Sequence, residues 1–260
     1  MNIKELQLKF KLNFSSITLL IVINVIFYLL SLILGATYGK TNALQLLGAE
    51  FLPDILNGQL WRFVLPAFLH AGIFHLILNM WALYHLGGAI ETFYGHKKVI
   101  IVYILTGLSG SVFSVVATLL QIYFSQGNIE YSISVGSSAA VFGFVGLLLG
   151  NKFKKNTFSV SIDNYINTSQ LWFFVGVNIL FGLGVNFMGS GFAINNFAHI
   201  GGFLSGILLG MILDLVNTTY QSKSKIILEK ALFFLSILLI ILSFIGQLSY
   251  FVFSILYLSN

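Results

Sequence analysis

Two polar residues with complementary chemistry stand at the start of strongly apolar segments. Ser138 lies in VGSSAAVFG (135–143), and His199 follows about sixty residues later in AHIGG (198–202). A serine hydroxyl becomes a good nucleophile when an adjacent base takes its proton, and histidine is the common base. Polar and ionisable side chains inside a bilayer are expensive unless they have a partner and a purpose. The pair therefore predicts a nucleophile and its base within a membrane.

The composition is that of a membrane protein. The 260-residue chain is 57% hydrophobic and 8% charged, whereas a soluble globular domain carries about 25% charged residues. The fold class is therefore all-α, a polytopic bundle of membrane helices. Apolar stretches, several of them long enough to span a bilayer, predict seven transmembrane helices at roughly 15–35, 74–93, 99–120, 138–151, 171–188, 197–215 and 231–257.

The basic residues predict the orientation of these spans. Eleven of the 13 Lys and Arg residues fall on one side of the membrane if the spans alternate, and only Lys40 and Arg62 fall on the other. The positive-inside rule then places the N-terminus in the cytoplasm and the C-terminus outside. The net charge of +5 thus reflects topology and not a nucleic-acid partner. Because the chain has no cysteine, thiolate metal sites and cysteine nucleophiles are excluded.

Helix lengths place the serine and the histidine at the same depth. Ser138 lies fourteen residues before Lys152, about 21 Å at the α-helical rise, and His199 lies fifteen residues before Asp214, about 22 Å. The hydrocarbon core of a bilayer is about 30 Å thick. If Lys152 and Asp214 mark the cytoplasmic surface, both residues lie roughly 10 Å below the outer one.

Small residues follow both Ser138 and His199 at helical spacing. Such stripes let membrane helices approach closely, so the fourth and sixth predicted spans can meet and bring the two residues together. Stripes alone are ordinary packing devices, and the placement of the serine and histidine is what favours catalysis. The stripes are Ala139, Gly143, Gly146 and Gly150 on one span and Gly202, Gly206 and Gly210 on the other.

Polar residues also open the second predicted span. His75 and Asn79 are four residues apart and share a helical face, while His70 lies just before the helix. A zinc hydrolase would need the H-E-x-x-H pattern, which this spacing lacks. Neutral His and Asn can instead donate hydrogen bonds to a developing oxyanion. A buried polar residue bonded to a neighbouring helix is the alternative for each, and Glu91 is expected to be a structural tether.

Together these motifs resemble the rhomboid family of intramembrane serine proteases. The resemblance covers about residues 15–217, a six-helix catalytic core after a cytoplasmic segment at 1–14. Residues 218–260 then form a cytoplasmic linker and the seventh helix that many rhomboids add. The motifs occur in the family's order as Trp61-Arg62, His70-x4-His75-x3-Asn79, Gly87-x3-Glu91-x3-Gly95, Gly136-x-Ser138 and Ala198-His199-x-Gly201-Gly202.

The resemblance implies a Ser–His dyad without an acidic third member. Ser138 is then the nucleophile and His199 the base, and the oxyanion donors are His70, Asn79 and the Ser138 backbone N–H. The implied protein is a multi-pass endopeptidase of a bacterial cell membrane, without cofactor or metal, that cleaves single-pass membrane proteins near the outer membrane face. Supporting roles fall to His75, Gly136, Trp61, Arg62 and Glu91.

One position departs from the family pattern, and two other functions remain open. The family usually has glycine after the nucleophile, whereas this chain has Ala139, whose methyl group could widen the gap between the two helices. A rhomboid-like protein that binds membrane helices without cutting them would need a lost serine or histidine, and both are present. A small transporter would need broken helices or mid-depth charges, which the spans lack. Residues 189–191, with the fifth span, are the predicted substrate gate.

Overall fold

The computed structural model describes residues 15–127, 131–154, 167–187, 194–215 and 222–258. Within these ranges the chain is helical, apart from one isolated antiparallel bridge between Glu50 and Ser134. The helices are α1 (Ser16–Tyr38), α2 (Lys40–Leu46), α3 (Leu52–Leu56), α4 (Ile73–Ala82), α5 (Gly88–Tyr94), α6 (His96–Phe124), α7 (Ser138–Asn151), α8 (Thr168–Phe187), α9 (Asn196–Ile212) and α10 (Lys223–Leu258).

Shorter turns connect some of these helices. Two 3₁₀ turns, Leu60–Phe63 and Leu65–Phe68, precede α4. A π-helical turn, Leu83–Gly87, joins α4 to α5, so that Ile73–Tyr94 runs as one helix.

The protein is a multi-pass membrane protein. In the described ranges, four helices are long and apolar enough to cross a bilayer, and α7 and α9 are shorter apolar helices. This agrees with the predicted all-α class, while the number seven remains a prediction. The four long helices are Ser16–Tyr38, Ile73–Tyr94, His96–Phe124 and Lys223–Ser254.

Helix α7 is the centre of the bundle. Every residue from Ala139 to Asn151 is buried, as expected for a helix that is apolar all round. Helices α6 and α9 pack against it, and α10 lies at the periphery with a largely exposed apolar surface. The helix is thus enclosed by its neighbours from Ala139 onward, while Ser138 at its start is only partly buried.

The contact between α7 and α9 is a contact between backbones. A Cβ atom added to Gly202 would lie 2.1 Å from the carbonyl oxygen of Ala139, and one added to Gly206 would lie 2.1 Å from that of Gly143. A Cβ on Gly146 of α7 would meet a carbonyl of α9 at 2.2 Å. Real Cβ atoms do not come so close, so only glycine fits at these positions. The small-residue stripes therefore bring the two helices together.

The methyl group of Ala139 is accommodated by a third helix. A Cβ atom added to Gly110 of α6 would lie only 2.5 Å from the Cβ of Ala139. Helix α6 supplies this space because residue 110 has no side chain. The α7–α9 contact at this level runs through the backbone of Ala139 and Gly202, so the extra methyl group does not separate those two helices.

Candidate active site

Ser138 and His199 are within hydrogen-bond distance. The Ser138 Oγ lies 2.8 Å from the His199 Nε2. Ser138 is the first residue of α7, where a backbone N–H has no acceptor inside the helix. His199 lies in the first turn of α9, whose N-terminus is capped by the Asn195 side chain, with Oδ1 accepting from the Ala198 N–H at 3.1 Å.

The imidazole of His199 is held by an aromatic ring. Phe142 stacks on it with ring centroids 4.4 Å apart and an interplanar angle of 9°. The His199 Nδ1 has no hydrogen-bond partner among the described residues, so no acidic third member is seen there. Phe142 was not singled out from the sequence, although its position one turn after Ser138 was an available signal.

His75 lies against the backbone that leads to Ser138. Gly136 has a φ of +134°, a conformation that favours glycine. A Cβ atom on Gly136 would lie 2.8 Å from the His75 Cε1 and Nε2 and 3.6 Å from the Ser138 Oγ. Glycine at 136 is therefore required both by its backbone angle and by the close approach of the imidazole.

His70 and Asn79 make different contacts. The His70 ring is buried behind the site, with Nε2 3.5 Å from the Ser137 Oγ and its centroid 5.1 Å from that of His75. Burial, together with the nearby His75, lowers the pKa of His70 to about 3, which keeps the ring neutral. The Asn79 Nδ2 donates to the His75 carbonyl at 2.9 Å. Both histidines therefore border the segment that ends at Ser138: the His75 ring lies against Gly136, and the His70 ring lies against the Ser137 hydroxyl.

The reason is the position of each histidine in the chain. His75 lies in the first turn of α4, one turn before Asn79, so both share the helical face that meets the start of α7. His70 precedes α4 in the extended segment after Leu65–Phe68 and reaches the neighbouring Ser137 instead. Spacing along the sequence could not separate these two arrangements.

The other residues with predicted supporting roles act at a distance from the dyad. The fully buried Arg62 guanidinium donates through Nη1 to the carbonyls of Gln45 (2.9 Å) and Ala49 (2.8 Å), and Nη2 lies 2.8 Å from the Asp54 carboxylate. These contacts order the connection between α1 and α4. Trp61 packs on α10, where a Cβ at position 246 would lie 2.5 Å from its ring.

Glu91 holds the N-terminus of α1. Its carboxylate accepts from the Ser15 hydroxyl at 2.5 Å and from the Ser16 N–H at 2.6 Å, and it lies 2.7 Å from the His96 Nδ1. Glu91 thus contacts a helix end and not the dyad. The predicted gate at 189–191 lies outside the described residues. Within the described ranges, no group of three His, Cys, Asp or Glu side chains comes together as a metal site would require.

The sequence of this chain is similar to a known domain family and to several known proteins. The family model of the rhomboid domain matches residues 57–215. Rhomboid-like protease 3 of Toxoplasma gondii is 33% identical over 196 residues, covering 75% of this chain and 67% of that protein. Rhomboid protease GluP of Bacillus subtilis (strain 168) is 32% identical over 195 residues, covering 73% and 32%. RHOMBOID-like protein 7 of Arabidopsis thaliana is 35% identical over 176 residues, covering 67% and 50%.

The lengths of these relatives differ widely. The chain spans about two thirds of the Toxoplasma protein, half of the Arabidopsis protein and a third of the Bacillus protein. The similarity therefore concerns the helical core that carries Ser138 and His199.

Proposed function

Because the chain belongs to the rhomboid family, we propose that it is an intramembrane serine endopeptidase. The observation that carries the proposal is the 2.8 Å contact between the Ser138 Oγ and the His199 Nε2. A nucleophile and a base in hydrogen-bond contact form the unit that acyl transfer requires.

In the proposed reaction, Ser138 attacks the scissile carbonyl while the His199 Nε2 takes the hydroxyl proton. The imidazolium then gives this proton to the leaving amine, and a water activated by the same ring hydrolyses the acyl-enzyme. Phe142, stacked on His199 at 4.4 Å, keeps the ring facing Ser138. Stacking thus performs the orienting role that an aspartate has in a triad.

The proposed oxyanion hole combines three donors. The Ser138 N–H lies at the free N-terminus of α7, and the Asn79 amide has a second N–H besides the one bonded to the His75 carbonyl. His75 is the third donor, since its ring lies against Gly136 beside Ser138. His70, buried next to Ser137, becomes the supporting residue.

The proposed substrate is a single-pass membrane protein cut near the outer end of its span. The helix-length estimate places Ser138 roughly 10 Å below the surface, so the substrate reaches it from the bilayer. Its scissile carbonyl is hidden in a helical hydrogen bond until the helix unwinds. Gly and Pro weaken a helix by about 1 and 3 kcal/mol relative to Ala, and we expect them in the substrate span.

The proposed location is a bacterial cell membrane, with the N-terminus in the cytoplasm and the C-terminus outside. The lysine distribution supports the orientation. A reporter fused after Asn260 checks it, because cytoplasmic behaviour would contradict the orientation of the last helix.

The test of the function uses purified full-length protein in liposomes with a model single-span substrate. The wild type should cleave it and should react covalently with a fluorophosphonate, while Ser138→Ala should do neither. Ser137→Ala is the matched control and should retain turnover, because the Ser137 hydroxyl contacts His70 at 3.5 Å and the Tyr103 side chain and makes no contact with His199 among the described residues. Turnover in Ser138→Ala, or a wild type that binds the substrate but neither cleaves it nor labels, would refute the proposal and favour a non-catalytic helix-binding protein.

A further inference from the structure

A buried carboxyl group that the proposed mechanism does not use lies beside the segment that leads to Ser138. Glu50, in the connection between α1 and α4, is 6% exposed. Its carboxylate accepts a hydrogen bond from the Ser114 hydroxyl of α6. Its backbone pairs with that of Ser134 in both directions, at 3.1 Å and 3.0 Å. Ser134 lies four residues before Ser138, so the backbone of Glu50 is hydrogen-bonded to the segment that leads to the nucleophile.

The hydrogen bonds continue from Ser114 to the helix of the base. The Asn195 Nδ2 donates to the Ser114 Oγ at 2.5 Å and to the Ser134 Oγ at 3.1 Å. The same side chain caps α9 through the Ala198 N–H, and the Asn195 carbonyl accepts from the His199 N–H at 3.3 Å. Asn195 therefore fixes the first turn of the helix that carries His199.

These bonds have a definite direction. An amide NH₂ group can only donate, so the Ser114 oxygen accepts from Asn195 and its hydrogen points to Glu50. The carboxyl group is the final acceptor of the chain from Asn195 through Ser114 to Glu50. This chain joins the two short segments, 134–138 and 195–199, that end in the members of the dyad.

We propose that Glu50 is a positioning residue for the Ser138–His199 dyad. By fixing the Ser114 hydroxyl it orients the Asn195 amide, which holds the segments before Ser138 and His199 at a constant spacing. This inference rests on the proposed protease function, since positioning matters through the reaction of the dyad.

The charge on Glu50 is expected to tune this positioning. Burial raises the pKa of Glu50 to about 7, against the lowering effect of the Ser114 and Ser111 hydroxyls. The groups around it from α6, from the segment before Ser138 and from α9 are Ser111, Ser114, Ser134 and Asn195, which carry no charge. An ionised carboxylate is a stronger hydrogen-bond acceptor than a neutral carboxyl group. The hydrogen bonds from Asn195 through Ser114 to Glu50 should therefore become stronger as the pH rises through about 7.

The experiment measures kcat and KM of liposome-reconstituted full-length variants at pH 6 and pH 8. Glu50→Ala and Asn195→Ala should each lower kcat about 10- to 100-fold with little change in KM, because small displacements of reacting groups have effects of this size. The double variant should be no slower than the worse single one, since both break one chain. Thr118→Ala is the matched control on α6, because its hydroxyl bonds only its own helix at the Ser114 carbonyl.

Glu50→Gln separates positioning from a merely structural role. Its amide can still accept from Ser114 but cannot ionise, so the ratio of wild-type to variant kcat should be near one at pH 6 and rise several-fold at pH 8. The ratio cancels the titration of His199, which both proteins share. An unchanged kcat in folded Glu50→Ala, or the same ratio at both pH values, would overturn the inference.

A second measurement keeps the inference separate from the function. If the wild type neither cleaves nor labels with the fluorophosphonate, the proposed function fails, but thermal unfolding still reports on the chain. The losses in Tm for Glu50→Ala and Asn195→Ala should then be strongly non-additive. Additive losses would show that the two residues are not coupled and would overturn the inference on its own.

Discussion

The two ends of the α7–α9 pair are built from different chemistry. At the end with Ser138, neutral hydroxyl, amide and imidazole groups meet around the dyad. At the opposite end, Asp214 after α9 lies 3.0 Å from the Lys225 Nζ and 3.4 Å from the Lys154 Nζ. Lys98 of α6 lies 3.0 Å from Glu229 of α10. One end is closed by ion pairs, and the other is held by hydrogen bonds that end on the single carboxyl group of Glu50.

The difference reflects what each end must do. The ion pairs join α6, α7, α9 and α10 and satisfy their charges within the protein. Around the dyad, the Nδ1 atoms of His70 and His199 are buried without a hydrogen-bond partner among the described residues, and near Asp214 the same holds for the Tyr94 hydroxyl. Unpaired polar atoms destabilise a fold but leave hydrogen-bonding capacity for water and substrate. The ion pairs at the Asp214 end thus hold the helices together, while the Ser138 end has polar atoms available for hydrogen bonds to water and substrate.

The largest expected effect is the loss of either member of the dyad. Ser138→Ala and His199→Ala should each lower kcat by at least about 10³-fold, and the double variant should be no worse than the single ones, because the pair acts as a unit. Single-turnover cleavage in liposomes measures all three rates. Losses that multiply in the double variant would mean that the two residues act independently.

The next largest effect on the reaction rate distinguishes His75 from His70. Loss of one oxyanion donor lowers the rate about 10²–10³-fold, so Asn79→Ala and His75→Ala should do so with little change in KM. His70→Ala should mainly lower the melting temperature, because that ring is buried beside Ser137. The opposite pattern for His70 and His75 would restore the assignment that the sequence favours.

Glu50 should give the Ser138 end an unusual pH dependence of stability. The unfavourable burial of its charge outweighs the stronger hydrogen bonds of the ionised form, so its pKa rises from 4.5 to about 7 in the folded protein. The stability that Glu50 contributes is therefore present below about 4.5 and is lost as the pH rises through about 7. Relative to wild type, Glu50→Gln should gain roughly 3 kcal/mol between pH 4.5 and pH 8. Denaturation at several pH values measures this, and a constant difference would mean that Glu50 does not titrate in that window.

Substitutions at Ala139 and Gly110 should have coupled effects on stability. Gly110→Ala places a Cβ 2.5 Å from that of Ala139, and overpacking of this kind destabilises by about 1–3 kcal/mol. Adding Ala139→Gly should recover most of the loss, because the methyl group is then moved from one helix to the other. Melting temperatures of the two single variants and the double variant test it. A double variant as unstable as Gly110→Ala would mean that Ala198, whose carbonyl lies 2.9 Å from the same Cβ position, is the limiting contact.

The smallest effect on turnover is expected at the opposite end, around Asp214. Burial would raise the pKa of Asp214, but Lys225 and Lys154 hold it below its usual value. Its contribution to stability is therefore present at neutral pH and is lost as the pH falls below the usual aspartate range. Asp214→Asn should lower stability by roughly 3 kcal/mol at pH 7, because it leaves the largely buried Lys154 without its carboxylate partner. It should also remove the loss of stability on the acid side and leave kcat unchanged. A large loss of kcat would show that the two ends are coupled.

The sequence was informative where the chemistry is local and periodic. The glycine stripes on α7 and α9 follow helical spacing, and they predicted a contact that the backbone distances at Gly202 and Gly206 now describe. Which of the two histidines, His70 or His75, lies against Gly136 depends on how α4 packs against α7. Residue spacing along the sequence does not encode this packing. Gly110 and the Glu50 hydrogen-bond chain were missed for the same reason, since their partners are far apart in sequence. Phe142 was missed although its place one turn after Ser138 could have indicated it.

The π-helical turn at Leu83–Gly87 determines how the two halves of the Ile73–Tyr94 helix are rotated relative to each other. Each residue of an α-helix rotates the chain by about 100°, and a π-helical turn takes up an extra residue. The same helix brings His75 against Gly136, two residues before Ser138, and brings Glu91 to the start of α1. Removing one residue from the turn would swing Glu91 away from Ser15 and Ser16 by about a quarter of a circle. The extra residue in the π-helical turn thus sets the rotation that lets one helix face α7 at its start and α1 at its end.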